Sequence, residues 1–408
     1  MSSQRERIGS VRVLLPALSV TMVMTFPPFL AGALAFEILL ELGFDTGSLG
    51  VALGGFFGLS AISSVTIGGL ADRIGWPAAM RVSSAMSAVT MFGIAALAHS
   101  WLSFAALISL GGLTMAIGQP AVNLALAREV PESRQGFVFG LKHSAIPAAA
   151  MLSGFAVPLF AVNGDWRGVF VGAGVIAGGV ALAVPKSQRS SADATSIRSS
   201  EKVELEMRPL VFMAVGALLA ASVASALSAF LVISVVDSGV SPGAGGLILA
   251  AASVTGLIVR LLAGWWADAR KAGGLGGVAL LLVVGSVGLG ALTGTGAWLL
   301  TLAAMLAFGA GWGWNGLFNF SVVKHFPRAP ARATSVALTG TYIGASLGPI
   351  VMGQLIEIYS FQAAWLAAAA LSSFSAVAML AARWQLTDMR KMRAAAIEVG
   401  PDGSRAGG

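Results

Sequence analysis

The chain has 408 residues, of which 56% are apolar and 11% charged. Soluble domains carry nearer a quarter charged residues, so an ordinary water-soluble fold is excluded. The net charge of +7 sits in short basic clusters between apolar runs, which speaks against a nucleic-acid-binding face, and the absence of cysteine excludes a disulfide framework.

Apolar stretches fall near 13–36, 47–69, 79–98, 101–127, 135–161, 167–184, 210–236, 244–266, 275–294, 297–322, 334–357 and 362–382. A bilayer crossing needs about 20 apolar residues. The pattern therefore predicts an all-α membrane protein with twelve transmembrane helices. Arg5, Arg7 and Arg12 before an apolar run ending near Ala31-Gly32-Ala33 imitate a secretory signal. The run is long for a signal core, however, and it reads as the first span. Between spans six and seven lies a polar, serine-rich segment. The expected organisation is an N-terminal six-helix bundle (1–184), a cytoplasmic linker (185–208) that is part disordered and part surface helix, a C-terminal six-helix bundle (209–385) and a cytoplasmic tail (386–408).

Counting charges on alternate sides sets the orientation. With the N-terminus in the cytoplasm, Arg73, Arg81, Arg128, Arg134, the linker, Arg270, Lys271, Lys324, Arg328, Arg332 and the tail all lie inside. The outer side receives Arg167 alone among lysines and arginines, against Glu37, Glu41, Asp45, Asp165, Asp237 and Glu357. Both termini are expected to be cytoplasmic.

The chain also matches itself at an offset of 196 residues, and the matching positions are the rare polar ones. Gly68 and Asp72 recur as Gly264 and Asp268; Gln119 and Asn123 recur as Asn315 and Asn319; Arg128 and Pro131 recur as Lys324 and Pro327. Beyond Arg332 the offset becomes 198, which sets Lys142 opposite Gly340 and His143 opposite Thr341. Internal repeats of this kind mark transporters that rock two halves about a central site. Glycines four apart (Gly54/Gly58, Gly174/Gly178, Gly344/Gly348) suit close helix approach in lipid, and Pro27-Pro28, Pro147 and Pro349 interrupt helices at bilayer depth.

Gly311-Trp312-Gly313-Trp314-Asn315-Gly316 matches the dinucleotide pattern GxGxxG, but it lies inside an apolar helix with no preceding strand, so no nucleotide site is expected. Gly68-Gly69-Leu70-Ala71-Asp72-Arg73-Ile74-Gly75 stands between the second and third spans, with a degraded copy, Gly264-Trp265-Trp266-Ala267-Asp268-Ala269-Arg270, between the eighth and ninth. This loop resembles the G-x-x-x-D-R-x-G signature of the major facilitator superfamily of secondary transporters, bacterial type with twelve helices. Trp76 and Pro77 occupy positions that are often basic in that family. The resemblance implies two pseudo-symmetric six-helix bundles in a bacterial inner membrane, working by alternating access. It also implies a cytoplasmic gate formed by Gly68, Asp72, Arg73 and Gly75 with Gly264 and Asp268, helped by Arg134, Arg260 and Arg332. Arg260 is read as a structural residue near the inner interface. The drug antiporters of the family carry an arginine early in helix four and a glycine-rich pattern in helix five; Leu110-Gly111-Gly112-Leu113 and Ser144-Ala145-Ile146-Pro147-Ala148 have neither.

Gln119 and Asn123 share one face of helix four, as Asn315 and Asn319 do on helix ten, with Trp312 on nearly the same stripe. Carboxamides in hydrocarbon need partners, so these side chains either bond between helices or line a wet cavity. Lys142 lies eight residues, about 12 Å, deeper than Arg134, with no carboxylate at comparable depth. An unpaired ionisable group there points to an anionic substrate, though hydrogen bonding to carbonyls or snorkelling would also house it. His143 is a packing residue or a proton carrier.

The expected function is transport of a small organic anion, with Lys142, Gln119, Asn123, Asn315, Asn319, Trp312, Tyr342 and His143 as substrate residues and a proton as coupling ion. Efflux of hydrophobic or cationic compounds and a non-transport receptor or scaffold remain alternatives. No nucleophile constellation, Walker motif or metal-ligand cluster occurs, so no enzymatic activity, cofactor, metal or nucleic-acid partner is expected, and the chain is expected to act as a monomer in the bilayer.

Overall fold

The computed structural model describes residues 2–160, 165–185, 206–270, 274–327 and 329–398, and these are all-helical apart from short turns. The first half contains α1 (Ser2–Ala33), α2 (Ala35–Leu42), α3 (Thr46–Ile67), α4 (Leu70–Ile74), α5 (Trp76–Leu97), α6 (Trp101–Glu129), α7 (Glu132–Phe160) and α8 (Trp166–Ala183). The second contains α9 (Met207–Asp237), α10 (Pro242–Arg270), α11 (Leu275–Ala291), α12 (Ala297–His325), α13 (Pro330–Ile358) and α14 (Phe361–Glu398). Among the described residues, eleven helices are long and apolar enough to cross a membrane. The twelfth, α11, is apolar but has 17 residues, about 25 Å of rise, and makes a short span.

Three local features depart from the sequence reading. The first span breaks at Leu34, at φ −98° and ψ 15°, and the short α2 that follows ends on Gly43 in the left-handed region at φ 67°. At the other end of the chain, α14 continues as one helix past residue 385 to Glu398. Pro27, Pro28, Pro147 and Pro349, read as interrupting helices, lie inside continuous ones. Residues 186–205, nearly all of the expected linker, lie outside the described residues. Elsewhere the chain stops and starts helices conventionally. Asp45 caps α3 by accepting from the Ser48 N–H at 2.6 Å, Ser100 and Ser103 form a capping box on α6, and Asp165 caps α8.

The packing repeats between halves. α1 rests on α6 and α7, α3 on α6, and α5 on α6 and α8; correspondingly α9 rests on α13, α10 on α12, and α11 on α12 and α14. Two of the spaced glycine pairs sit at these seams, while Gly54 and Gly58 face Ser346 of the other half. Gly340, Gly344 and Gly348 let α13 lie directly on the main-chain oxygens of Ala214, Leu218 and Ser222 in α9, while Gly174 faces Phe92.

Between halves, α3 packs on α13, α7 on α10, and α1 and α2 on α9. These seams concentrate at the end away from both chain termini, the distal end. There a Cβ on Gly50 would stand 2.2 Å from Pro349 O, one on Gly154 2.5 Å from Gly246 O, and one on Gly32 2.5 Å from Ser228 O. The buried core follows the same division. One apolar cluster, including Phe29, Leu49, Phe56, Phe230 and Phe308, runs through both halves. At the proximal end the core separates into two clusters, one around Ala17, Met80 and Val122 and one around Met213, Trp314 and Phe318. The halves are thus fused distally and parted proximally.

Candidate functional site

The site is built where that shared core ends. Lys142 is the eleventh residue of α7 and is 1% exposed. Its Nζ donates to Oε1 of Gln119 and, at 3.0 Å, to Oδ1 of Asn123. Those two carboxamides are one turn apart on α6, so a single helix face presents both oxygens. The sequence offered Lys142 no carboxylate at its depth and kept hydrogen bonding to carbonyls as an alternative; the two amides supply such oxygens from the same half. They are neutral, however. Their dipoles satisfy two of the ammonium's three donors while its formal charge stays uncompensated, since no carboxylate of the described residues bonds to it.

Arg260 requires a larger correction. It stands ten residues, about 15 Å, before the proximal end of α10 at Arg270, too deep for a gate at the membrane surface. Its guanidinium crosses to the other half, where Nη1 donates to His143 O at 2.8 Å, and Nη2 donates to Trp312 O at 3.0 Å in its own half. The guanidinium carbon lies 5.1 Å from the Trp312 ring centre, within cation–π range, and Nε is buried with no hydrogen-bond partner among the described residues. One cation is thus carried by Lys142 of α7, and a second, from the opposite half, bonds the main chain of the next residue, His143.

Trp312 is 7% exposed and meets Phe29 of α1 at 5.6 Å and Phe308 at 5.0 Å, both edge to face. Its ring closes the shared core above Arg260 and does not form an open cavity wall. His143 is half-buried and joins the site through its main-chain oxygen. Asn315 and Asn319 are half-buried on α12, and the Oδ1 of Asn319 is buried without a partner. The arrangement made by Gln119 and Asn123 is thus not repeated in the second half, where Gly340 stands opposite Lys142. Tyr342 is half-buried on α13.

The loop residues lie at the proximal end. Gly68 closes α3 with its N–H on Ser64 O, and the atoms a Cβ would meet belong to Ser64 of its own helix, so close approach to a second helix is not its role. Gly75 turns the chain from α4 into α5 at φ 83°, a conformation that favours glycine. Asp72 and Arg73 are exposed on α4, which packs on α5 and α6 of its own half. Gly264 has open space around it and Arg332 is exposed. The side chains of Arg134 and Asp268 lie outside the described residues. Among the described residues, Asp72 and Arg73 thus belong to an element packed on its own half.

A family model described as Major Facilitator Superfamily matches residues 13–331 and, a second time, 213–398. This chain belongs to the major facilitator superfamily. Its overlapping double match is what a superfamily member with two similar halves produces. Among solved structures, the nucleoside transporter NupG superposes with a TM-score of 0.69 at 16% identity, covering 92% of this chain and 98% of that one, and a point mutant of NupG gives 0.72 at 15% identity, covering 91% and 99%. A bacterial homologue of the human lysosomal transporter Spinster, in an inward-facing and occupied conformation, gives 0.68 at 16% identity, covering 93% and 96%. At such identities the likeness is one of fold. A search of curated proteins returns no match.

The residue that sequence reasoning misplaced, Arg260, had a signal. It is a lone charge inside the apolar run 244–266, and counting back from Arg270 would have given its depth.

Proposed function

We propose that this superfamily transporter carries a small organic anion by alternating access, with the proximal end in the cytoplasm. The observation that carries the reading is the pair of cations, Lys142 and Arg260, held by neutral oxygens and, for Arg260, the Trp312 ring, with no carboxylate bonded to either among the described residues. A negative group between them would complete both. The clustering of lysine and arginine in the proximal loops supports the orientation. Efflux of cationic compounds would need negative charge in the same place, and the described hydrogen bonds there involve none. A nucleoside, the cargo of NupG, is uncharged and would leave both cations without a counter-ion. A coupling proton would travel on the substrate itself or on His143.

The test is uptake of labelled organic acids into proteoliposomes containing wild type or Lys142→Gln. A unit charge at about 4 Å contributes roughly 1–4 kcal/mol between the limits of water and a partly shielded protein site. The variant is therefore expected to lose about fivefold to nearly a thousandfold in apparent affinity. Unchanged affinity and rate would remove Lys142 as counter-ion.

A further inference from the structure

Three side-chain hydrogen bonds cross between the halves among the described residues. Thr46 Oγ1 donates to Glu357 Oε2 at 3.1 Å, Ser346 Oγ donates to Gly54 O at 3.0 Å, and Arg260 Nη1 donates to His143 O at 2.8 Å. The first two lie in the distal seam. The third is set deepest and is the one with a formally charged donor. We infer that Arg260 is the tie that holds the empty carrier with its distal end shut, and that an anion bound between the halves releases it. The second clause rests on the anion reading above; the first does not.

The geometry gives the tie no slack. The guanidinium is stretched between two main-chain oxygens, His143 O in one half and Trp312 O in the other, at 2.8 and 3.0 Å. Neither acceptor can follow a moving arginine as a flexible side chain would. A hydrogen bond is lost beyond about 3.5 Å, so a relative shift of under about 1 Å between α7 and α12 breaks one of the two. Rocking the halves apart distally displaces α7 against α10 and α12 by more than that. Breaking the bond strands a desolvated cation, because Nε already lacks a partner.

An anion changes this balance. A carboxylate reaching Nε and the neighbouring Nη2 would satisfy the unpartnered donor and take the guanidinium side-on, the geometry in which arginine binds carboxylates best. The bond to His143 O then becomes dispensable, and the halves can move with their cargo. The empty carrier has no such substitute and reorients slowly. Transport of this kind runs faster as exchange of one anion for another than as net movement.

The chain contains no cysteine, so spin labels can be placed without background. Leu40→Cys and Tyr359→Cys put labels on opposite halves at distal positions that are 75% and 71% exposed. Distances between them would be measured in nanodiscs for wild type, Arg260→Lys and Arg260→Gln, first without added anion. Loss of a hydrogen bond to a charged group should raise the ratio of distal-open to distal-closed molecules by about tenfold or more in both variants. A wild-type ratio in both would overturn the tie. Lactate, succinate and benzoate are then added to wild type. A shift toward distal-open with at least one of them supports release by anion. If the variants shift and none of the anions moves wild type, the tie stands and the anion reading falls. For any anion that shifts the distribution, exchange in proteoliposomes should exceed net efflux by a comparable factor, and equal rates would refute release.

Discussion

Gly50→Ala offers a test of whether the distal seam is a gate. The added Cβ would stand 2.2 Å from Pro349 O and 3.0 Å from Pro349 C, both backbone atoms of the opposite half. Ordinary contact needs roughly 1 Å more, which α3 and α13 can supply only by separating. Overpacking of this size costs about 1–3 kcal/mol, and here the cost falls on the distal-closed state alone, because the clash disappears once the halves part. The ratio of open to closed molecules should rise about fivefold to a hundredfold. Gly154→Ala, whose Cβ would meet Gly246 O at 2.5 Å on the other seam, should act in the same direction and add to it. Ser346→Cys gives the readout, since its hydroxyl sits in the seam against Gly54 O and a thiol there reacts with maleimide when the seam opens. Gly290→Ala is the control, in a place with no neighbour within 4 Å of the new methyl. Alkylation of the Gly50 and Gly154 variants at the wild-type rate, in protein that remains folded, would refute the idea that these contacts keep the distal end shut.

Gln119→Leu removes one of the two oxygens that satisfy Lys142, and a hydrogen bond to a charged group contributes about 1.5–3 kcal/mol. The apparent melting temperature should fall, and Lys142→Met in the same chain should restore most of the loss; an additive double variant would show that the two side chains are not coupled. Glu37, on α2 beyond the first span, has its carboxyl pushed above the usual carboxylate range by burial, only partly opposed by its own backbone N–H, and its Oε2 is buried without a partner. The folded state therefore keeps a proton that the unfolded chain has released, so this group lowers stability as pH rises through the range between the two. Glu37→Gln should melt higher than wild type at about pH 8 and together with it at about pH 4, and parallel melting curves across that range would contradict the assignment.

The twelve-helix architecture was legible because lipid imposes a coarse rule: each crossing needs a long apolar run, and rare polar residues stand out within it. The same rarity made the repeat and Lys142 readable. What did not show in the sequence were distances between elements far apart in the chain. Lys142 of α7 meets Gln119 and Asn123 of α6 through side chains, and which residues of two helices reach one level depends on how the whole bundle packs. Arg260 was read through the loop motif that follows it, and the motif's pull outweighed a simple count of helical rise. Trp312 lay on the expected stripe, yet Phe29, from the first helix of the other half, decides what its ring faces. The break at Leu34 carries no proline or glycine at that position, so nothing local announced it.

Gly340 gives the asymmetry of the two halves a steric basis. Where one half carries the buried ammonium, the other brings the Ala214 carbonyl of α9 to within 2.1 Å of where a Cβ would begin. A second lysine cannot arise there by substitution without prising α9 from α13. The two halves are therefore not interchangeable at this level: the half with room for a long side chain carries the charge, and the lysine has no twin.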